Sequence, residues 1–312
     1  MQLTVSPFTA HDGENLAVYQ WHPEGSQDDF NPLTTYGQFK PRGIVLIVHG
    51  LGEYAERYES VARKLMGWGY VVRSYDQRGH GRSGGQRGAI SNDSQLLDDL
   101  AEMVDEARLH GLPFPTTAGE LEALESTTPK LPLILLGHSM GGLVAAKFVA
   151  LNMRPVEALV LSSPALDAGL GVMQKLLLAL ALRVAPHTSI GNGLKVRFLS
   201  RDHQVVADYQ ANRLVHNKIS PTLAQFIVSS GPAVVAAASR WCVPTLLLYA
   251  GADKLVNPQG SRRFAAKANA SVNVKRGTVT AEYFDGYYHE IFNEPNSAAV
   301  FNTLKTWLDG RL

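Results

Sequence analysis

Apolar side chains follow two rhythms along this chain. Five short stretches are apolar at nearly every position: GIVLIVHG from Gly43, YVVRSYD from Tyr70, LPLILLG from Leu131, EALVLSSP from Glu157 and PTLLLYAGAD from Pro244. Strands buried on both faces of a parallel sheet have this pattern, because neither face meets water. Between them, ERYESVARKLMGWG, SQLLDDLAEMVDEARLHG and GGLVAAKFVALN place apolar residues at helical spacing. The alternation predicts an α/β chain with right-handed crossovers and a doubly wound sheet. Two earlier segments, QLTVSPFTAHDG and ENLAVYQWHP, alternate apolar and polar positions, with Asp12 and Gly13 at the turn. They predict an antiparallel hairpin at the sheet edge.

One gap breaks the rhythm. Between LVLSSPAL and PTLLLYAG lie about 75 residues with helical patterns and no strand, far beyond an ordinary connection. This predicts a helical insertion over residues 167–229, followed by a return helix around PAVVAAASRW. Residues 1–166 and 230–312 would then form the core. Two further polar excursions, between WHPEG and PRGIVL and after His110, are expected to affect access or contacts between copies rather than chemistry.

The stretch LLGHSMGG places a strand directly before a serine and a helix directly after it. Gly137, His138, Ser139, Met140 and Gly141 meet the pattern G-x-S-x-G of a nucleophile elbow. So sharp a corner forces the serine into strained backbone and leaves no room for a β-carbon two residues to either side. The serine oxygen then stands at the carboxyl end of the sheet, where open α/β sheets bind ligands. A hydroxyl becomes a good nucleophile only when a base takes its proton, and the base needs an orienting carboxylate. On this kind of sheet the chain order is serine, acid, histidine. Of ten histidines, His289 alone follows Asp253, which ends the strand PTLLLYAGAD. Asp202 and Asp208 fall in the insertion, and Asp285 is only four residues before His289, so Asp253 is the expected acid. The backbone N–H groups of Met140 and Leu51 are the expected oxyanion donors.

With these residues in place, the chain resembles the α/β-hydrolase superfamily, and within it the monoacylglycerol lipase and lysophospholipase branch. The resemblance rests on VHGLGEYAERY, YDQRGHGRSGG, LLGHSMGG, LSSPAL, DYQANRLVHNKIS, YAGADKLVNP and GYYHEIFNEP. It implies an eight-stranded, mostly parallel sheet with a helical cap after the sixth strand, and hydrolysis of acyl esters through a Ser-His-Asp triad. It also implies that Glu53 and Arg57 bind or orient the groups that recognise hydroxyls near the leaving alcohol, with His138 beside them. YDQRGHGRSG is expected to be a supporting loop. Lysophospholipase, thioesterase, amidase or acyltransferase chemistry would use the same triad, and a non-catalytic binding protein could share the fold. Serine at the elbow disfavours the dehalogenase and epoxide hydrolase relatives, which place aspartate there.

Composition narrows the partners. With 312 residues, 45% hydrophobic and 18% charged, the chain suits one globular unit with a large core. A net charge of +1 produces no field to attract nucleic acid, so none is expected. The single cysteine, Cys242, excludes an intramolecular disulfide and points to a reducing compartment. MQLTVSPFTAHDG has no signal-peptide pattern, and a cytoplasmic protein is expected. No metal-ligand spacing or phosphate-cradling glycine loop is present, so no cofactor is expected. The run LGVMQKLLLALALRV is apolar on every side and shorter than a membrane span. Either it packs on the sheet's carboxyl edge, or it lines an acyl tunnel and touches a lipid surface transiently. Both alternatives imply a small-molecule ester with an apolar acyl chain.

Overall fold

Five strands are buried at every position: β3 (Gly43–Val48), β4 (Tyr70–Tyr75), β5 (Leu133–His138), β6 (Ala158–Ser162) and β9 (Thr245–Ala250). They pair in parallel, as expected from their nearly continuous apolar runs. The computed structural model describes residues 1–22, 41–110, 131–275 and 277–311. Both polar excursions, residues 23–40 and 111–130, lie outside the described residues.

The expected hairpin is present. β1 (Gln2–Thr9) and β2 (Asn15–His22) run antiparallel in the register Gln2 to His22 through Thr9 to Asn15, and β2 continues onto β4. β10 (Val279–Phe284) closes the opposite edge beside β9. The eight strands stand in the order β1-β2-β4-β3-β5-β6-β9-β10.

Helices cover both faces. α1 (Glu59–Gly67) and α8 (Ala298–Asp309) belong to one side, where Leu65, Ile47, Leu304 and Trp307 share a core. α2 (Gln95–His110), α3 (Ser139–Ala150) and α7 (Gln259–Ala270) belong to the other, with Leu100, Leu143, Phe148 and Phe264 fully buried.

Between β6 and β9 come α4 (Val172–Val184), a two-stranded ribbon of β7 (Ile190–Gly191) and β8 (Lys218–Ile219), and α5 (His203–Ala211). α6 (Pro221–Ala237) follows and runs unbroken past residue 229 with Pro232 inside it. The end of the expected insertion and the expected return helix are therefore one element, capped by the Ser220 side chain and started by Pro221. Among the described residues, Pro221–Arg240 is the stretch long and apolar enough to cross a membrane by length and composition alone. It lies against α3 and α7, with Leu223, Phe226 and Val234 in the core.

α4 differs from its expected packing on the sheet. Val172, Met173, Leu176, Leu177, Leu180 and Val184 are all 59–78% exposed. Only Leu178, Ala181 and Leu182 are half-buried, on a helix whose main neighbour is α6. With one main neighbour, a helix apolar all round leaves most of its circumference in solvent.

Candidate active site

The corner after β5 has the strain its sequence implies. His138 is still extended, Ser139 has φ 52°, and α3 begins at once. A β-carbon on Gly137 would stand 2.6 Å from the Gly141 carbonyl oxygen. One on Gly141 would stand 2.2 Å from the carbonyl oxygens of both Val48 and His49. The two glycines let the elbow sit against the end of β3, which leaves the serine partly exposed while Met140 is buried.

Asp253 and His289 come from the loops after β9 and β10, neighbouring strands beyond β6. His289 Nδ1 lies 2.7 Å from Asp253 Oδ2, and both side chains are nearly closed to solvent. Asp253 Oδ1 accepts the N–H groups of Leu255 at 2.8 Å and Val256 at 3.0 Å. Burial alone would raise the Asp253 carboxyl, but His289 and these two donors hold it below its usual value. Burial alone would lower the His289 imidazole, but the charge and hydrogen bond of Asp253 hold it above 6.5. The His289 loop is also tied to the insertion: Glu290 N–H donates to the Leu199 carbonyl at 2.8 Å.

Ser139, Met140, Leu51, His138 and His289 line one cavity of ≈ 230 Å³. Its remaining wall is mostly apolar and comes largely from the insertion, including Leu194, Val196, Ile219, Ile227 and Val228. No residue of α4 lines it. Among the described residues, neither the Leu51 nor the Met140 N–H has a hydrogen-bond acceptor. The start of α3 adds its positive dipole end at the same place.

His138 is buried, with Nδ1 3.1 Å from both the carbonyl and the hydroxyl oxygen of Ser162. Burial pushes its imidazole down to about 4, so it is neutral near pH 7. Its ring centroid is 4.8 Å from that of His289.

Glu53 lines the same cavity, but its carboxylate is already engaged. Oε1 accepts the Gly50 N–H at 2.5 Å and the Tyr58 hydroxyl at 2.8 Å, and Oε2 pairs with Arg57. Arg57 stands behind it, outside the cavity lining, and stacks over Tyr209 at 4.7 Å. The guanidinium also grips Glu290 with two bonds of 2.7 Å. Sequence reasoning did not single out Glu290. Its one signal was an acidic residue directly after the histidine in HEIFNEP, and nothing in the sequence marked it as buried.

The YDQRGHGRSG loop is structural in its bonding. Asp76, fully buried, accepts the Ala55 N–H, the Tyr19 hydroxyl and the Arg82 N–H, each at 2.7 Å.

Known proteins match this chain over most of its length. A family model described as serine aminopeptidase, S33 (Hydrolase_4) matches residues 39–296. The monoacylglycerol lipase of Mycolicibacterium smegmatis is 34% identical over 276 residues, spanning 87% of this chain and 90% of that protein. Phospholipase YtpA of Bacillus subtilis is 29% identical over 283 residues, spanning 89% and 99%. Among solved structures, Paleococcus ferrophilus monoacylglycerol lipase superposes over 100% of both chains with TM-score 0.71 and 27% identity. With that fold, those relatives and a strained serine lining a largely apolar cavity, the chain belongs to the serine aminopeptidase S33 family of α/β hydrolases and is a serine ester hydrolase.

Proposed function

We propose that the protein is a monoacylglycerol lipase-like esterase in which Ser139, His289 and Asp253 form the catalytic triad. The observation that carries this reading is the 2.7 Å contact between His289 and Asp253, with His289 lining the same cavity as Ser139, whose backbone is left-handed. His289 takes the proton of Ser139 as the hydroxyl attacks the ester carbonyl. The N–H groups of Leu51 and Met140 hold the oxyanion, each contributing about 3 kcal/mol by analogy with such donors. His289 then protonates the departing alcohol, and water releases the acid by the reverse sequence. Asp253 fixes the imidazole tautomer and stabilises its charged form.

The insertion, residues 167–229, acts as a cap on a core of residues 1–166 and 230–312, and its apolar side chains hold the acyl chain. Glu53 and His138 face the substrate from the cavity wall, while Arg57 acts through Glu53. The exposed apolar side of α4 supports transient contact with a lipid surface, since so large a patch is otherwise costly in water. The lone cysteine supports work in the reducing cytoplasm.

A fluorophosphonate probe should label the wild type and leave Ser139→Ala unlabelled; equal labelling of both removes Ser139 from the mechanism. Rates on monoacylglycerols, lysophospholipids, p-nitrophenyl esters and acyl thioesters of several lengths then assign the substrate. The phospholipase relative makes lysophospholipid hydrolysis the second reading, and a preference for lysophospholipids would install it.

A further inference from the structure

We infer that Glu290 is a positioning residue which, through Arg57, locks the loop carrying His289 to the loop carrying the oxyanion donor Leu51. This rests on the triad proposed above and adds to it a link between two of its loops. The His289 loop and the Gly50–Glu53 loop leave the sheet from different strands, β10 and β3, which are not neighbours. No backbone pairing between those strands can hold the two loops in register, and catalysis tolerates little error in that register.

One guanidinium closes the distance. Arg57 forks onto both oxygens of Glu290 at 2.7 Å and pairs with Glu53, whose other oxygen holds the Gly50 N–H. Tyr58 and Asn293 supply the remaining donors, to Glu53 at 2.8 Å and to Glu290 at 2.9 Å. All three charged side chains are 4–10% exposed. A buried ion pair adds little stability over apolar packing of the same volume. A planar fork does fix direction and distance, which a greasy contact would not. Glu290 is also pinned at its own N–H by Leu199, so the cap, the histidine loop and the oxyanion loop meet at this residue.

The cluster carries two carboxylates against one guanidinium, and its surplus negative charge lies beside the imidazole. Glu290 and Glu53 both add to the upward pull on His289. Loss of the Glu290 charge therefore has a signature that loosened packing does not: the acid limb of the pH profile moves.

The test uses Glu290→Gln, Arg57→Lys and the double variant, with a soluble p-nitrophenyl ester. Each single variant should lose about 10- to 100-fold in kcat with KM within about twofold. In Glu290→Gln the acid limb of kcat/KM should move to lower pH; in Arg57→Lys, which keeps the charge, it should stay. The double variant should lose no more than the worse single one, since both break the same clamp. Wild-type kcat in either folded variant, multiplicative losses in the double, or an unmoved acid limb in Glu290→Gln would overturn the inference. If Glu290→Gln does not fold, Arg57→Lys decides the matter by its kcat. Wild-type protein that neither hydrolyses the ester nor takes the fluorophosphonate label refutes the triad itself, a separate outcome from a failed clamp.

Discussion

His289 Nδ1 and Asp253 Oδ2 stand 2.7 Å apart although 36 residues separate them in the chain. The two side chains are 4% and 3% exposed, so the bond is made out of water, where a carboxylate controls an imidazole most strongly. Asp253→Asn should keep the fold and most of the substrate affinity while lowering kcat about 10⁴-fold, because the amide favours the wrong tautomer. Steady-state kinetics on a p-nitrophenyl ester checks this, and a loss carried by KM alone would remove Asp253 from the triad.

The same pair sets the pH profile. In the proposed mechanism His289 must be neutral to act as base, and Asp253 holds its imidazole above 6.5. Activity should therefore rise with pH along an acid limb whose midpoint lies above 6.5, and Asp253→Asn should move that limb downwards. A kcat/KM profile with its acid midpoint below 6.5 contradicts the assignment.

Ser139 has backbone strain that glycine would relieve, since its φ is 52°. Ser139→Gly should abolish hydrolysis while raising stability by about 1 kcal/mol. Denaturant titration measures the gain, and a destabilised Ser139→Gly would mean the elbow stores no strain.

Gly141 has the opposite sensitivity. A β-carbon there would meet two backbone carbonyl oxygens at 2.2 Å, and backbone cannot swing aside as a side-chain tip can. Gly141→Ala should cost about 1–3 kcal/mol or more and displace the serine, so activity falls with stability. Unchanged denaturation midpoint and rate would show that the end of β3 yields to a β-carbon placed against it.

Leu176 and Leu180, 61% and 59% exposed on α4, provide a test of lipid contact away from the cavity. Leu176→Glu with Leu180→Glu should weaken co-sedimentation with phosphatidylcholine vesicles several-fold and leave hydrolysis of a water-soluble ester unchanged. Wild-type protein that stays in the supernatant would remove lipid surfaces from the description of this helix.

Much of this molecule could be read from one dimension. A β-strand buried on both faces is apolar at nearly every position, so β3, β4, β5, β6 and β9 declared themselves. The elbow was legible for a similar local reason: within five residues, steric demand admits glycine at Gly137 and Gly141 and little else. Chain order then reduced ten histidines to His289. The edge strand β10 was harder to see, because with one open side it carries Glu282 and Tyr283 among its apolar residues. Only the tertiary structure decided which polar groups are buried together. Glu290 looks like an ordinary surface charge in sequence, yet it lies in a cluster with Arg57 and Glu53 whose side chains are 4–10% exposed. It likewise decided that the apolar α4 stands open to solvent while α6 enters the core. Local sterics and periodicity act over a few residues and are written into the sequence, whereas burial depends on what the rest of the chain brings alongside.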